Sequence, residues 1–379
     1  MNDELTIFDF MDDGEQYKPI ASNDWKWTFA DYPKKKNEIK VFSCFACCGG
    51  STMGYKLAGC EVVGCLEIDK KMNDIYIANH HPKYNFLMDI RDFNNIPNDE
   101  LPPELFDLDV LDGSPPCTTF SMVGKREQGW GKKKKFREGQ AEQTLDDLSF
   151  IFCDTVAKLR PRVVVIENVE GLTFGNAWSY VQKIYARLIE SGYSVNHWLL
   201  KGEQMGIPQK RHRCFFVAIR NDLKKDPRKL DMCFNYTPVL YKDIQQGEGE
   251  KLNEKTVLWY WLQKAIESDK KIADTVVRYG KPEKLFSHKI CWPNDVISTV
   301  ASAGEMFRGI EKTRVSIDDI ISAQTFPQDY FFPKRNFDDV KYICGMSVPP
   351  VMMKRVVLRL IEEGVFDYKK EEQNNADSN

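Results

Sequence analysis

Residues 39–54 read Ile39-Lys-Val-Phe-Ser-Cys-Phe-Ala-Cys-Cys-Gly-Gly-Ser-Thr-Met-Gly54. The apolar run from Ile39 to Phe45 has the make-up of a short buried strand, and Tyr55-Lys-Leu-Ala continues as a helix. Between them, Gly49 and Gly50 let a ligand approach the backbone, and the helix start offers free amide donors. A second strand, Glu61-Val-Val-Gly-Cys-Leu, ends at Glu67. An acid at that remove from the glycines, about 20 residues, suits ribose hydroxyls. Strand, glycine turn, helix and strand-end acid together open a nucleotide-type binding unit.

The same rhythm continues downstream. Asn85-Phe-Leu-Met is a third strand ending in Asp89-Ile90-Arg91, and Asp107-Leu-Asp-Val-Leu leads a fourth into Ser114-Pro-Pro-Cys117. A helix spans Gln143 to Leu159 and closes at Pro161. Arg162-Val-Val-Val-Ile then runs into Glu167-Asn168-Val169. A helix from Val181 to Ser191 and a strand from Arg213 to Ile219 follow. Alternating strands and helices predict an α/β fold, a doubly wound (Rossmann-like) parallel sheet. Two prolines stiffen the turn before Cys117 and remove two amide donors, and open sheets of this kind bind ligands at strand ends. Cys117 is therefore a candidate nucleophile rather than a buried structural thiol.

Beyond residue 220 the pattern breaks into charged, mixed segments, which predicts a second, smaller unit. The boundaries expected are a polar extension over 1–37, a first catalytic part over 38–220, the smaller domain and hinge over 221–339, a return to the catalytic part over 340–368, and a disordered tail over 369–379. The extension is expected to pack loosely or to fold on something else. Net charge is −3 and 42% of residues are hydrophobic, values that announce no particular partner. Charge distribution says more: Met1–Tyr17 holds six acids and no base, and Lys125–Arg137 holds seven bases against one acid. Eleven cysteines without a small secreted framework point to a reducing cytoplasm. Cys44 and Cys47 form a Cys-x-x-Cys with no second pair at ligand spacing, so no metal site is expected. No apolar run is long enough for a membrane span.

In this order, the motifs resemble those of the cytosine carbon-5 DNA methyltransferase family. Phe45-Ala46-x-x-Gly49-Gly50 looks like its cofactor loop, Pro115-Pro116-Cys117 its nucleophile motif, and Glu167-Asn168-Val169 its Glu-Asn-Val. Gln209-x-Arg211-x-Arg213, Arg314-Val-Ser-x-x-Asp319 with Gln324-Thr-Phe-Pro327, and Gly345-Met-Ser-Val-Pro-Pro350 resemble its later motifs. The resemblance covers most of residues 39 to 364. It implies a methyltransferase sheet interrupted by a variable target-recognition domain, S-adenosylmethionine as methyl donor, and double-stranded DNA as substrate. A monomer in a prokaryotic or phage-encoded setting, with restriction-modification as its context, is the matching expectation.

The resemblance also assigns roles. Cys117 adds to the cytosine ring, Glu167 meets ring nitrogen 3 and the exocyclic amine, and Arg213 donates to the carbonyl oxygen. Arg211 holds the catalytic loop or a phosphate, on the same strand face as Arg213. Asn168 braces the Pro-Pro turn. Phe45, Cys48 and Gly50 line the cofactor, Glu67 takes the ribose, and Ile68 packs on adenine. Asp89 and Ile90 reach the adenine edge, and Pro116, Leu148 and Ser347 complete the pocket. The bases of Ser121–Arg137 suit phosphates around a flipped-out base. Ser43, Ser114, Thr118 and Met346 replace the usual Asp, Gly, Gln and Asn, and Cys47 stands where glycine is usual. The same scaffold acting on tRNA, and a weakly catalytic nucleic-acid-binding relative, remain open alternatives.

Overall fold

Val41 and Phe42 are adjacent on a strand, point to opposite faces, and are both fully buried. A strand dry on both sides belongs at the centre of a covered sheet. The computed structural model describes residues 20–116, 147–173, 177–283, 285 and 287–369. In chain order its first part runs β1 (Lys40–Cys44), α1 (Gly50–Leu57), β2 (Glu61–Glu67), α2 (Lys70–His80), β3 (Tyr84–Leu87), α3 (Ile90–Asn95), β4 (Val110–Gly113), α4 (Leu148–Leu159), β5 (Val163–Val169), α5 (Trp178–Glu190), β6 (Tyr193–Lys201), β7 (Gln209–Lys210) and β8 (His212–Arg220). The large sheet has the order β3-β2-β1-β4-β5-β8-β6. Strand order reverses between β1 and β4, so a crevice opens beyond their carboxyl ends. Cys44 and Gly113 are register partners there, which sets the glycine turn beside the Pro-Pro turn.

The expected all-parallel sheet holds for β3, β2, β1, β4 and β5. β8 is antiparallel to both β5 and β6. The link from β6 to β8 carries only a 3-10 turn and the short β7, with no crossover helix, and such a link returns a strand antiparallel.

After Arg220 come α6 (Tyr241–Ile244), α7 (Val257–Gln263), α8 (Ile272–Arg278), β9 (His288–Cys291), β10 (Ile297–Ser298), β11 (Glu305–Arg308), α9 (Ile317–Ala323), α10 (Phe337–Met346) and α11 (Pro350–Glu362). β10 pairs with β7 and β11 with β9, both parallel. Leu262, Ile272, Ile290, Trp292 and Phe307 form a small separate core. α11 covers one face of the large sheet, where Met352, Met353 and Val356 meet Val41, Val163 and Phe215. α3, α4 and α5 cover the other, around Phe42, Phe93, Phe152 and Phe216. Among the described residues no helix is long and apolar enough to cross a membrane, and no group of His, Cys, Asp and Glu could hold a metal ion.

The N-terminal extension departs from expectation. Two of its residues enter the core: Trp25 and Trp27 are buried in one cluster with Met53, Met72, Ile320, Phe326 and Tyr330. Trp27 Nε1 donates to the Thr325 carbonyl at 2.8 Å, and Asp24 pairs with Lys354 and Arg355. Trp27 and its Thr325 partner lie 298 positions apart, where no local pattern reveals the contact. Trp27→Ala is expected to cost about 3–5 kcal/mol of unfolding free energy, read from urea denaturation. A loss under about 1 kcal/mol would mean a loose segment.

Candidate active site

The site is assembled where the strands end. β4 delivers Ser114, Pro115 and Pro116, and β5 beside it delivers Glu167 and Asn168, with Gly113 and Ile166 in register. Asn168 Nδ2 donates to the Pro115 carbonyl at 3.3 Å, so an amide side chain braces the stiff turn. Arg213, on β8, lies opposite Val169, and its Nε meets Glu167 Oε1 at 2.9 Å with both side chains largely buried. A short, charge-assisted contact in so dry a place holds the carboxylate in one orientation. Cys117 and the basic loop Ser121–Arg137 lie outside the described residues.

Arg211 is committed to backbone carbonyls. The strand breaks at this residue, between β7 and β8, so Arg211 and Arg213 do not share a regular strand face. Arg211 is 3% exposed, and its guanidinium donates to the carbonyls of Val300 (3.1 Å), Gly345 (3.3 Å) and Ser347 (2.8 Å). Among the described residues, these backbone carbonyls are its hydrogen-bond partners. Gln209 works beside it, donating to the Ala323 carbonyl and to Gln324 while accepting from Val300 N. Gln324 in turn donates to the Ser347 carbonyl at 2.7 Å. The Gln-x-Arg pair thus staples the sheet to the segments before α10 and α11. Between the two arginines, His212 Nε2 sits 2.9 Å from Glu203 and Nδ1 3.5 Å from Glu170, and the Glu203 hydrogen bond raises its pKa above the ordinary imidazole value.

Beyond β1 and β4 lies a cleft with about 800 Å³ of atom-free space, partly open to solvent. Phe45, Gly50, Glu67, Ile68, Pro116 and Ser347 line it. An adjoining recess of about 260 Å³ is lined by Phe45, Glu67, Ile68, Asp89, Ile90 and Leu148. Every expected cofactor residue except Cys48 borders one of the two. Cys48 is fully buried behind the wall, with Sγ 3.0 Å from Ser347 Oγ, while its carbonyl accepts from His80 and Tyr330. Gly50 is required for a different reason than ligand approach: a Cβ there would lie 2.3 Å from the Val348 carbonyl oxygen. Gly49 has φ +90°, and its Cβ would overlap His80.

Glu67 accepts from Cys47 N at 2.8 Å and from Asp69 N at 2.7 Å, which ties the two loops together and leaves lone pairs for a ligand. Burial pushes its pKa up. Asp89 caps α3 through Arg91 N and also pairs with the Arg91 guanidinium, so its carboxylate is already engaged. Cys47, held at φ 48°, lines the cleft. Asp112 was not singled out from the sequence, although an acid inside Val110-Leu-Asp-Gly113 is an available signal. Among the described residues, the cleft wall carries Glu67 and Asp69 and no lysine or arginine. It therefore fits an elongated ligand with an apolar ring at one end, hydroxyls in the middle and positive charge.

Comparison with known proteins agrees with this geometry. A family model described as C-5 cytosine-specific DNA methylase matches residues 39–362. The Type II methyltransferase M.HindV of Haemophilus influenzae is 31% identical over 336 residues, covering 85% of this chain and 96% of its own length. M.NgoPII of Neisseria gonorrhoeae is 26% identical over 352 residues, covering 84% and 94%. Among solved structures, a putative DNA modification methyltransferase encoded within an E. coli prophage superposes with TM-score 0.57 at 18% identity, covering 86% of this chain and 99% of that one. The S. pombe Dnmt2 methyltransferase gives 0.56 at 16%, covering 87% and 100%. At these identities the structural likeness concerns the fold.

Proposed function

We infer that this chain, which belongs to the C-5 cytosine-specific DNA methylase family, methylates carbon 5 of cytosine in DNA with Cys117 as its nucleophile and S-adenosylmethionine as its donor. The observation that carries the site assignment is the Glu167–Arg213 pair, held at 2.9 Å one strand away from the Pro-Pro turn that precedes Cys117.

Carbon 5 of cytosine is a weak nucleophile. Addition of the Cys117 thiolate to carbon 6 makes the ring an enamine, with negative charge moving toward nitrogen 3 and the amine. Glu167 meets that charge by sharing a proton with nitrogen 3 and accepting from the amine, and Arg213 keeps the carboxyl aimed while donating to the ring carbonyl. S-adenosylmethionine supplies an electrophilic methyl group on a sulfonium. Phe45, Ile68, Ile90 and Leu148 would enclose its adenine and Glu67 its ribose, with Pro116 and Ser347 closing the far side. After methyl transfer, loss of the carbon 5 proton and elimination of Cys117 restore the aromatic base. The target base must leave the duplex stack to reach these groups. Residues 221–312 are assigned to reading the DNA sequence, and the bases of Lys125–Arg137 to its phosphates. The Type II methyltransferases among the relatives favour a restriction-modification role.

Labelled methyl transfer to duplex DNA, followed by bisulfite sequencing, tests the activity and reveals the target context. Label in tRNA and none in duplex DNA would overturn the DNA assignment. A covalent complex with duplex DNA carrying 5-fluorocytosine is expected, and its absence in the presence of cofactor would remove Cys117 from the mechanism. Glu167→Gln should lower kcat about 10²–10⁴-fold, the usual range for a lost acid–base group, while cofactor affinity changes little. Equal loss in cofactor binding would make Glu167 a structural group.

A further inference from the structure

Asp112 is a carboxyl in the centre of the sheet, 1% exposed, in a strand otherwise made of Val110, Leu111 and Gly113. Ser43 on β1 is its register partner. Side chains of such partners stand side by side on one face. Ser43 Oγ donates to Asp112 Oδ2 at 2.8 Å, and the Tyr55 hydroxyl of α1 donates to Oδ1 at 3.4 Å. These donors are neutral. Among the described residues, the other titratable groups that interact with it are Cys44 on β1, Tyr76 on α2 and Glu167 on β5. None of them is a cation. A buried carboxylate without a cation is costly.

Ser43 lines the cleft and Asp112 does not. With its proton committed to Asp112, the Ser43 oxygen faces the cleft as an acceptor only. The two residues form a relay that carries negative character from the sheet interior to the cleft wall. Together with Glu67 and Asp69, it makes a wall suited to a cation.

We propose that Asp112, acting through the Ser43 hydroxyl, is a positioning residue that makes the cleft prefer the sulfonium substrate over its uncharged thioether product. The proposal rests on the cofactor reading above. S-adenosylmethionine and S-adenosylhomocysteine share adenosine, amine and carboxylate, and differ at sulfur by one methyl and one positive charge. Only the first can stabilise an ionised Asp112, and this favours release of the second after each turnover.

The device has a pH signature. Burial raises the Asp112 pKa to about 7, so the carboxyl of the free protein carries a proton at lower pH. A bound sulfonium favours its loss, so affinity for the sulfonium rises as pH climbs through that value, and affinity for the thioether does not. If Asp112 is fully ionised in the sulfonium complex, linkage weakens apparent binding about elevenfold at pH 6 and hardly at all at pH 8. The expected swing in the affinity ratio of the two ligands is roughly tenfold.

Titration calorimetry of the whole chain with each ligand, at pH 6 and pH 8, tests this. Wild type should show the roughly tenfold swing, and Asp112→Asn less than about twofold. The variant also cancels titration of the ligands' own amines. Ser43→Ala should reduce the swing, and a full swing in that variant would overturn the relay. Should Asp112→Asn fail to fold, wild type alone decides through proton release: binding of the sulfonium in buffers of different ionisation heat should release protons near pH 7, and binding of the thioether should release none. A wild-type ratio equal at both pH values overturns the inference and leaves the cofactor reading intact. Failure of both ligands to bind overturns the cofactor reading, and the inference with it.

Discussion

Cys117→Ser is expected to reduce methyl transfer at least about 10⁴-fold while leaving S-adenosylmethionine binding within about twofold. A serine hydroxyl stays protonated at neutral pH, attacks carbon 6 poorly and leaves poorly, so carbon 5 is never activated. Cofactor binding should survive because the cleft is built by Phe45, Glu67, Ile68 and Pro116, none of which depends on the thiol. The other cysteines sharpen the assignment. Among the described residues, Cys60, Cys65, Cys153 and Cys214 have pKa values pushed up to about 12 by burial, and Cys44, Cys291 and Cys344 are pushed up as well. Cys47 and the exposed Cys233 are also raised. The Cys48 pKa is lowered, but its sulfur is buried against Ser347 behind the cleft wall. None of these is a thiolate presented to a substrate. Single-turnover methylation of a duplex substrate gives the reading, and wild-type rates in the serine variant would end the covalent mechanism.

Arg211→Ala should destabilise the fold by about 3 kcal/mol or more, because three buried carbonyls lose a charged donor. The carbonyls belong to Val300, Gly345 and Ser347, in segments that this side chain ties together with its Gln209 and Gln324 neighbours. Ser347 also lines the cleft, so cofactor affinity should weaken roughly tenfold, the equivalent of about 1.4 kcal/mol. With cofactor saturating, kcat should stay within a few-fold of wild type. Arg213→Ala should instead lose kcat while cofactor affinity is nearly kept, because Arg213 meets the Glu167 carboxylate and does not line the cleft. Urea denaturation, cofactor titration and saturating kinetics on both variants separate the two arginines. A stable Arg211→Ala with a collapsed kcat would return Arg211 to the catalytic group.

The two arginines show where reading along the chain stops working. Alternate positions of one strand share a face only while the strand is regular, and this one breaks at Arg211. β6 was missed for a related reason. Its residues, Tyr193-Ser-Val-Asn-His-Trp-Leu-Leu-Lys, mix polar and apolar types because it lies at the sheet edge and is only partly buried. β1, β4 and β5, dry on both faces, are legible from their apolar stretches Val41-Phe42, Val110-Leu111 and Val163-Val-Val-Ile166.

The local features were determined by the residues themselves: buried strands, the glycine turn, the proline-stiffened approach to Cys117, and the acids at the ends of β2 and β5. Each depends on neighbours within one turn or one strand, so backbone preference and burial pattern suffice to find it. Tertiary structure alone decided that Asp112 leans on Ser43, that Trp27 reaches Thr325, and that Arg211 secures Ser347. Those partners lie 69, 298 and 136 positions apart. At such separations a contact depends on how sheet and helices pack, and a hydrogen bond leaves no periodic trace in the chain.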